Sequence, residues 1–540
     1  MGATGRFVWA NRSQSVTVRP VRALVSLVGA GPGDPSLLTL AAVRALERAD
    51  VVLFDALVHP AALAYVRASA ERVFVGKRGG HEGITQDEIN ALLLRYAREG
   101  KHVCRLKGGD PFLFGRGSEE AEFLASEGIS FEVVPGVSSF LGATAYAGIS
   151  LTHRTLASSL AVITGTEHAH KATTAHDWSK LATATQTIVL FMGVRKLREE
   201  TDRLIEHGRA PETPVAVIQW GTRAEQRVVT GTLRDIGART DDAGITPPAL
   251  VVIGEVVHLR DTLRWWDKQP LFGCRVLVTR PVHQARALHD ELLERGAEPV
   301  AFPAIEIVPP TSLAPLEAAA RALASYDLVV FTSANGVEQF FGELARSHLD
   351  ARAFGASKVI AIGPGTAASL QSRGVVADAV PDEFIGEAVA QTALATLGSA
   401  AGKRVLVPRA EVARGVLPDA LRAAGALVDV VAAYRVVPAT GRDIDAFRAA
   451  LVAGRIDAAT FTSGSTVDHV CDALGDDAAA LLAPVAVASI GPITSQTATR
   501  RGLTVTVEAR VHSIPGLLDA LEAHYARAGR PSDRPGPPTP

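Results

Sequence analysis

The sequence predicts an α/β protein of more than one unit, and three observations support that fold class. From Ala23 onward, strand-like apolar segments alternate with helical ones, as in sheets covered by helices. The length of 540 residues exceeds what one hydrophobic core normally organises. In the second half, three motifs each occur twice, which predicts a duplicated pair of lobes.

The first half contains candidate strands separated by loops and helices. A strand at residues 24–28 leads through a Gly/Pro loop into a helix at residues 37–49. Apolar runs predict the strands that follow, at residues 51–54, 133–134, 160–163, 188–191, 215–218 and 250–253. The alternation stops at a Trp-Trp pair followed by polar residues, so we expect a linker at residues 265–273.

The linker separates a predicted domain at residues 23–264 from a second domain at residues 274–525. Residues 1–22 hold four arginines but no apolar core of signal-peptide length. Residues 526–540 are rich in Pro, Arg, Gly and Ser. We therefore expect disorder at both ends.

The composition excludes several classes of protein. Hydrophobic residues make up 47% of the chain, charged residues 21%, and the net charge is −2. Without a basic excess or an apolar run of about 20 residues, we expect neither nucleic acid nor a membrane as partner. Three scattered cysteines exclude a disulfide framework and a thiolate metal site, which favours the reducing cytoplasm.

Motifs of the second half recur in pairs. The segment 331–337, FTSANGV, returns as 461–467, FTSGSTV. Segments 276–281 and 361–367 return as 405–410 and 489–495. Two similar α/β lobes follow from this duplication, and the cleft between two lobes is a common ligand site.

The run Arg105–Gly117 is the clearest candidate for a small-molecule site. It combines three cations, four glycines and one carboxylate with an apolar Phe-Leu-Phe. Glycines allow a close approach of backbone to ligand, and Arg and Lys offer charge to anionic groups. A segment that only packs would not need this composition.

The loop Gly29–Pro35 follows a strand and precedes a helix, as a dinucleotide fingerprint does. Pro32 and Pro35 remove two amide donors, and Asp34 replaces the last glycine of the fingerprint. The dinucleotide interpretation therefore fails, and a simple turn stays the alternative.

Several separated motifs together resemble the uroporphyrinogen-III C-methyltransferases of the tetrapyrrole methylase superfamily. They are Val28–Pro35, Asp55, Val75–Arg78, Arg105–Gly117, Val134–Val137 and Leu151–Arg154. The resemblance extends over about residues 24–264. It implies two α/β lobes with S-adenosylmethionine bound between them, and a homodimer formed through this domain.

The resemblance also implies individual site residues. Those that match methyl-donor contacts are Pro32, Gly108, Gly109, Asp110, Leu113, Ser138, Ser139, Met192 and Gly221. Ser138 and Ser139 stand where the family often has Thr-Ala. Asp55 matches the proposed proton acceptor and Lys77 the proposed proton donor.

These assignments have plainer alternatives. Asp55 would also suit a helix N-cap or a turn, and Met192 would suit the core. Uroporphyrinogen carries eight carboxylates, so Arg78, Arg116 and Arg154 are candidate substrate cations, with a solvated surface as the alternative.

Three histidines cluster at 168, 170 and 176. No acidic or thiolate partner accompanies them, so we expect a solvated loop and no metal.

The duplicated lobes resemble uroporphyrinogen-III synthase over about residues 274–525. The family's chain order implies lobe one at residues 274–308 plus 437–525 and lobe two at residues 309–436. Tyr434 matches a cleft tyrosine of the family and is our candidate donor to the leaving hydroxyl group. Hydroxyl and amide groups proposed to bind substrate carboxylates belong to Thr332, Ser333, Asn335, Thr462, Ser463 and Thr494, with helix capping as their alternative.

The sequence thus predicts a bifunctional enzyme of tetrapyrrole biosynthesis. Its second half would close hydroxymethylbilane to uroporphyrinogen III, and its first half would methylate that product twice to precorrin-2, for sirohaem or cobalamin. Two alternatives stay open. In the first, the methylase half acts on another precorrin. In the second, the C-terminal half binds a tetrapyrrole without catalysing a reaction.

Overall fold

The computed structural model describes residues 25–76, 84–166, 176–441 and 443–531, without the side chains of 282 and 283. The chain divides into two compact units between Gln269 and Pro270. The expected disordered start at residues 1–22 lies outside the described residues.

The first sheet is entirely parallel. Its strands are β1 (Val25–Gly29), β2 (Val51–Phe54), β3 (Glu71–Phe74), β4 (Val103–Lys107) and β5 (Phe131–Val134), arranged in the order β3-β2-β4-β1-β5. The helices of this lobe are α1 (Leu40–Arg48), α2 (Gln86–Arg98) and α3 (Gly117–Ser126).

Apolar side chains cover both faces of this sheet, as its parallel strands require. Leu27 packs in the cluster on one face, where α3 lies, and Val28 packs in the cluster on the other, where α1 lies. The chain therefore leaves the neighbouring strands β1 and β4 towards opposite faces. Such a switch point opens a crevice at the carboxyl ends of the two strands.

The second sheet is mixed. Its strands are β6 (Leu160–Thr164), β7 (Thr187–Phe191), β8 (Pro214–Gln219), β9 (Arg227–Thr232) and β10 (Ala249–Ile253), in the order β6-β7-β10-β8-β9. Only β6 and β7 are parallel. The helices are α4 (Ser139–Tyr146), α5 (Trp178–Ala184), α6 (Leu197–Glu206), α7 (Ile236–Asp242) and α8 (Arg260–Leu263).

The expected linker at residues 265–273 has no helix or strand, yet its aromatic residues are packed. Trp266 is only 4% exposed, and its ring centroid lies 4.9 Å from that of Tyr146. Trp265 donates a hydrogen bond to the carbonyl of Ala145 at 3.0 Å. The Trp-Trp pair therefore belongs to the N-terminal unit.

The described residues of the C-terminal unit form ten strands. They are β11 (Arg275–Val278), β12 (Glu298–Ala301), β13 (Ile305–Val308), β14 (Leu328–Phe331), β15 (Lys358–Ala361), β16 (Arg404–Ala410), β17 (Leu427–Pro438), β18 (Ala458–Phe461), β19 (Ala486–Ser489) and β20 (Val505–Glu508). They form two sheets, in the orders β12-β11-β18-β19-β20 and β13-β17-β16-β14-β15.

Helices cover both sheets of this unit. They are α9 (Val282–Glu294), α10 (Ala314–Arg321), α11 (Ala334–Arg346), α12 (Pro364–Gln371), α13 (Gly386–Leu397), α14 (Val416–Ala423), α15 (Ile444–Val452), α16 (Gly464–Leu474), α17 (Ala478–Leu482), α18 (Pro492–Arg500) and α19 (Ile514–Ala528). Short 3-10 helices in the two units span Pro35–Leu37, Pro60–Tyr65, Val194–Lys196, Glu255–Leu259, Leu323–Ser325, Ala351–Phe354 and Gly475–Asp477. The predicted α/β fold class is confirmed.

The two lobes of the C-terminal unit are circularly permuted copies of each other. The neighbouring strands β12, β11, β18 and β19 correspond to β17, β16, β14 and β15, which have the same neighbours in their own sheet. In lobe two, a single parallel β-bridge between Ile360 and Ala379 takes the place of the pairing between β19 and β20 in lobe one. This correspondence matches the paired sequence motifs and confirms the predicted duplication.

The border between the lobes differs from the predicted one. Residues 305–308 were expected in lobe one, but β13 pairs antiparallel with the end of β17 in the sheet of lobe two. Ile305 lies opposite Pro438, so residues 437 and 438 also belong to this sheet. The side chains of Ile307 and Val436 pack against the cores of both lobes, which explains why the sequence did not mark the border.

The expected disordered tail also begins too early. Helix α19 continues to Ala528, because Leu521 and Tyr525 are buried and hold its last turns against the core. Arg527 in the last turn complements the helix dipole. Residues 532–540 lie outside the described part of the chain.

The loops after β1, β4 and β5 touch backbone to backbone. Gly109 donates to the carbonyl of Gly31 at 2.7 Å, and Gly31 donates back at 3.2 Å. A Cβ atom on Gly136 would lie 2.3 Å from the Gly109 oxygen and 2.7 Å from the Cα of Gly29. Glycine is therefore required at this contact.

We expect Gly136→Ala to lower the free energy of unfolding of the N-terminal unit by about 1–3 kcal/mol, since backbone atoms must move to admit the methyl group. Differential scanning calorimetry measures the effect. Gly365→Ala is the control, because nothing lies within 4 Å of its Cβ position on α12. An unchanged melting temperature for Gly136→Ala would show that the loops are not tightly packed.

Candidate active sites

The positions assigned to the methyl donor lie on loops that meet around α4. A Cβ atom on Gly142 would lie 2.5 Å from Cγ of Pro32, and one on Gly221 would lie 2.2 Å from Cβ of Ala143. Pro32 follows β1 of the first sheet, and Gly221 follows β8 of the second. Helix α4 therefore joins the two lobes of the unit at the predicted site.

The Gly-Gly pair after β4 lies against two further loops. A Cβ atom on Gly108 would lie 2.7 Å from Cβ of Leu57, which follows β2. The same atom on Gly109 would lie 3.8 Å from the amide nitrogen of Ser139 and 3.9 Å from Cα of Ser138. The structure thus brings the predicted glycines, serines and Pro32 together.

Asp110 fixes the loop that carries it. Its Oδ1 accepts the amide of Phe112 at 2.8 Å, and its Oδ2 accepts the amide of Gly136 at 3.0 Å. Leu113 follows, half-buried in the same loop. The carboxylate therefore braces the loops after β4 and β5 against each other.

Met192 follows β7 and is not part of the core, which was its plainer alternative. Its side chain is 49% exposed, and its backbone has φ +55°. The neighbouring Phe191 ring lies 4.9 Å from the ring of Phe114, in the loop after β4. This aromatic contact brings Met192 to the same set of loops.

Backbone strain is concentrated in these loops. Six described non-glycine residues have positive φ, and all but His348 belong to the N-terminal unit: Phe114, Arg116, Met192, Trp220 and Thr222. Such conformations persist only where the surroundings impose them, and they are frequent at ligand sites.

Asp34, which breaks the dinucleotide fingerprint, ties the two lobes together. Its amide donates to Oγ1 of Thr222 at 3.0 Å, and its Oδ2 accepts the hydroxyl of Tyr146 at 2.7 Å. Burial, and then the Asp34 carboxylate, raise the pKa of Tyr146. Arg223 donates to the carbonyl of Leu57 at 2.7 Å, which adds a second link between the lobes.

Asp55 stands at the end of β2 and is partly accessible. Its Oδ1 accepts the amide of Leu57 at 3.0 Å, so the turn role suggested by the sequence is present. Its Oδ2 lies 3.7 Å from Nη1 of Arg105, and the side chain is 24% exposed. Lys77 and Arg78, predicted as proton donor and substrate cation, lie outside the described residues.

Two cations of the run Arg105–Gly117 do not face a ligand, contrary to our expectation. Arg105 and Lys107 donate to Oε1 of Glu120 at 3.2 and 2.8 Å. All three side chains are at most 5% exposed. Burial, and then the positive charge of Arg105, lower the pKa of Lys107. The sequence pattern did not show that a carboxylate from α3 binds them.

The other predicted substrate cations are exposed. Arg116 pairs with Glu119 at 2.6 Å, with 56% of its side chain accessible. Arg154 lies in the turn closed by hydrogen bonds between His153 and Ala157, and its side chain is exposed.

The candidate donor of the C-terminal unit lies in lobe two. Tyr434 is 6% exposed, and its hydroxyl lies 2.9 Å from Oγ of Ser333. Burial raises the pKa of Tyr434, although Ser333 and Asn335 act in the opposite direction. Thr332 precedes Ser333 at the end of β14. The structure thus brings these four predicted residues together.

Two of the three other predicted hydroxyls occupy the equivalent place in lobe one. Thr462 and Ser463 follow β18, and Thr494 is buried in α18. The Oγ atoms of Ser463 and Ser333 accept amides of the first turns of α16 and α11. For these two serines, the capping alternative is therefore what the structure shows.

The lobes of this unit touch beside the predicted residues. Gln284 on α9 of lobe one donates a hydrogen bond to Oδ1 of Asn335 on α11 of lobe two. The rings of Phe384 and His512, one from each lobe, lie 6.1 Å apart. Asn335 therefore connects Tyr434 to the opposite lobe.

Arg280 is a candidate that the sequence analysis did not select. It follows β11, next to β18, where α9 and α16 leave the sheet on opposite faces. Among the described residues it forms no hydrogen bond or ion pair, and burial lowers its pKa. Its repeat counterpart Arg409 differs, because it donates to the carbonyl of Arg414 at 2.6 Å. The paired motifs in the sequence were the signal for both.

The structure describes one of the three clustered histidines. His168 and His170 lie outside the described residues, whereas His176 hydrogen-bonds the carbonyl of Thr164 at 2.9 Å. In the described ranges, no cluster of three His, Cys, Asp or Glu side chains is placed to hold a metal. Nor does any helix in them have the length and apolar character needed to cross a membrane.

Known proteins resemble both units. A family model of the tetrapyrrole (corrin/porphyrin) methylases matches residues 24–237, and one of the uroporphyrinogen-III synthase HemD matches residues 286–519. A porphyrin biosynthesis protein HemD from Ruminiclostridium josui is 36% identical over 498 residues, covering 92% of this chain and 97% of that protein. The chain belongs to the fused tetrapyrrole methylase and uroporphyrinogen-III synthase family. It is therefore a two-part enzyme of tetrapyrrole biosynthesis, and the predicted resemblance is confirmed.

Other relatives match a smaller share of the chain. A uroporphyrinogen-III C-methyltransferase of Bacillus subtilis is 40% identical over 361 residues, 66% of this chain and 74% of that protein. A siroheme synthase of Tolumonas auensis is 53% identical over 254 residues, 47% of this chain and 53% of that protein. The chain thus spans about half the length of the siroheme synthases that it matches. The uroporphyrin-III C-methyl transferase of Thermus thermophilus, solved with S-adenyl homocysteine, is 41% identical, with a TM-score of 0.38 over 44% of this chain and 99% of that one.

Proposed function

We propose that the synthase half closes hydroxymethylbilane to uroporphyrinogen III, and that the methylase half converts this product to precorrin-1 and then to precorrin-2. The observation that carries the proposal is the partly exposed carboxylate of Asp55, beside converging loops, in a chain of the fused family. The relatives named siroheme synthase support a product used for sirohaem, with cobalamin as the other branch.

S-adenosylmethionine suits the cleft of the methylase half. The loops that meet there expose apolar side chains, among them Phe112 and Met192, 52% and 49% exposed. Backbone and apolar groups fit an adenosine and a sulfonium better than they fit a phosphate. Pro32, the loop 108–113, Ser138, Ser139, Met192 and Gly221 would hold the donor. It supplies an electrophilic methyl group.

The residues of the chain have two tasks in this reaction. The loops hold a pyrrole carbon in line with the methyl group, which removes much of the entropic cost of the displacement. When the carbon–carbon bond forms, the ring must lose a proton, and Asp55 accepts it. We propose Lys77 as proton donor, and Arg78, Arg116 and Arg154 as partners of the substrate carboxylates.

We expect Asp55→Asn to lower the kcat of methylation by about 10²–10⁴-fold, because the amide cannot accept the proton. Transfer of a labelled methyl group to purified uroporphyrinogen III measures it, and calorimetry should show unchanged binding of S-adenosylhomocysteine. Asp202→Asn, on the exposed face of α6, is the matched control. A kcat unchanged in Asp55→Asn would remove Asp55 from the mechanism.

In the synthase half, Tyr434 donates a hydrogen bond to the leaving hydroxyl of hydroxymethylbilane. Its raised pKa keeps the phenol protonated and makes it a weaker acid than an exposed tyrosine, so it stabilises the leaving group without transferring its proton early. Thr332, Ser333, Asn335, Thr462, Ser463 and Thr494 bind substrate carboxylates, as does Arg280.

We expect Tyr434→Phe to lower the kcat of ring closure by about 100-fold, the usual effect of removing one such donor. In the wild type, the contribution of Tyr434 should persist up to pH 10 and be lost only above it, because its pKa lies above the ordinary value. Rates of type III product formation at several pH values measure both. Tyr326→Phe, a hydrogen-bonded tyrosine before β14, is the control. Loss of the Tyr434 contribution below pH 10 would contradict the assignment.

We expect Arg280→Leu to raise the KM for hydroxymethylbilane about tenfold, since a charge-assisted hydrogen bond to one carboxylate is lost. Steady-state kinetics of the synthase half measure it. Arg286→Leu on α9 is the matched control, because that side chain is 89% exposed. An equal change in both variants would indicate a general charge effect rather than a binding site.

A homodimer formed through the methylase half and a location in the cytoplasm complete the proposal. The homodimer follows from the family resemblance, and the cytoplasmic location follows from the cysteine content.

A further inference from the structure

The surroundings of Asp55 contain a buried charge network that the proposed mechanism does not yet use. Arg105 lies on β4, in register with Leu53 on the neighbouring strand β2. Asp55 follows two residues later, at the carboxyl end of β2. The register therefore brings the arginine to the edge of the sheet where the proposed proton acceptor stands.

Glu120 fixes the orientation of the guanidinium. Its side chain is fully buried, and its Oε1 accepts Nε of Arg105 at 3.2 Å, Nζ of Lys107 at 2.8 Å and Nε2 of Gln86 at 3.2 Å. The Nη1 atom of Arg105 donates to the carbonyl of Leu106 at 3.1 Å. With Nε and Nη1 both held, the guanidinium has little freedom to turn.

The charges of the network balance only when Asp55 is included. Arg105 and Lys107 contribute two positive charges, and Glu120 contributes one negative charge. Burial, and then Arg105, lower the pKa of Lys107, whereas the charges of Glu120 and Asp55 act in the opposite direction. The Oδ2 atom of Asp55 lies 3.7 Å from Nη1 of Arg105 and supplies the second negative charge.

We infer that Arg105, held by Glu120, is a positioning residue that fixes the Asp55 carboxylate for proton abstraction. The inference rests on the proposed function. One carboxylate oxygen is held by the Leu57 amide at 3.0 Å, and the other is directed by the guanidinium. Asp55 can then accept a proton without first reorganising, which is the benefit of a preorganised base.

A purely structural role for this network is the competing explanation. A buried ion pair is often neutral for stability, whereas the loss of one partner is strongly destabilising. Arg105→Gln would then reduce the amount of folded protein without a specific effect on Asp55. The stoichiometry of S-adenosylhomocysteine binding reports the fraction of the methylase half that is folded, so the two explanations are separable.

The test is a double-mutant cycle on the full chain, with uroporphyrinogen III and labelled S-adenosylmethionine. Arg105→Gln should lower the kcat of methylation about 10–100-fold, while the KM values and the affinity for S-adenosylhomocysteine change less than about twofold. In the Asp55→Asn background, the same substitution should have no further effect on kcat. Arg105→Lys should recover only part of the activity, because an ammonium group cannot bind Glu120 and face Asp55 in the same geometry.

Each failure has a distinct meaning. If the wild type does not methylate uroporphyrinogen III, the proposed function is wrong. If the wild type is active but Arg105→Gln lowers kcat equally with and without Asp55, the positioning role is overturned. Glu120→Gln is an independent test in case the arginine variants do not fold. It retains an oxygen acceptor for Arg105, and it should lower kcat in the same way but less strongly. Wild-type kcat in Glu120→Gln and in Arg105→Lys would also overturn the inference.

Discussion

The methylase half depends on the close contact of three loops after neighbouring parallel strands. Side chains at Gly29 or Gly136 would push these loops apart, since the Cβ positions of both glycines lie within 3 Å of backbone atoms of the neighbouring loops. Asp110 then locks the loops after β4 and β5 through two amides. The loop after β4 in turn packs against Leu57 near Asp55, against Ser139 at the start of α4 and, through Phe114, against Phe191 beside Met192.

The synthase half uses a similar strand-end arrangement twice. In each lobe, a Thr-Ser pair follows a central strand, and an arginine lies at the end of the neighbouring strand or just beyond it, because the lobes are permuted copies. The copies are not equal. Arg409 donates to the carbonyl of Arg414, whereas Arg280 has no hydrogen bond or ion pair with the part of the chain that the structure describes. Duplication therefore supplies the scaffold, and the difference between the two arginines is the basis for the proposed role of Arg280.

Much of the fold was readable from the sequence, because short apolar runs predict strands that are buried on both faces. The Lys-Gly-Gly-Asp-Pro-Phe core identified the methylase family, since its spacing is set by backbone contacts. Long-range contacts were not readable. Glu120 lies 15 positions from Arg105, on the next helix. Arg105 and Lys107, which the sequence pattern assigned to a ligand site, therefore bind Glu120 within the protein. Likewise, strand β13 joins the sheet of lobe two through a partner more than a hundred positions away.

We expect this one chain to perform two consecutive reactions. The most direct test is anaerobic incubation of the purified protein with hydroxymethylbilane, with and without S-adenosylmethionine, followed by oxidation and chromatography of the products. We expect type III uroporphyrin without the donor and a dimethylated product with it. Only the type I isomer, which forms spontaneously, would contradict the synthase assignment, and unmethylated type III in the presence of donor would contradict the methylase assignment.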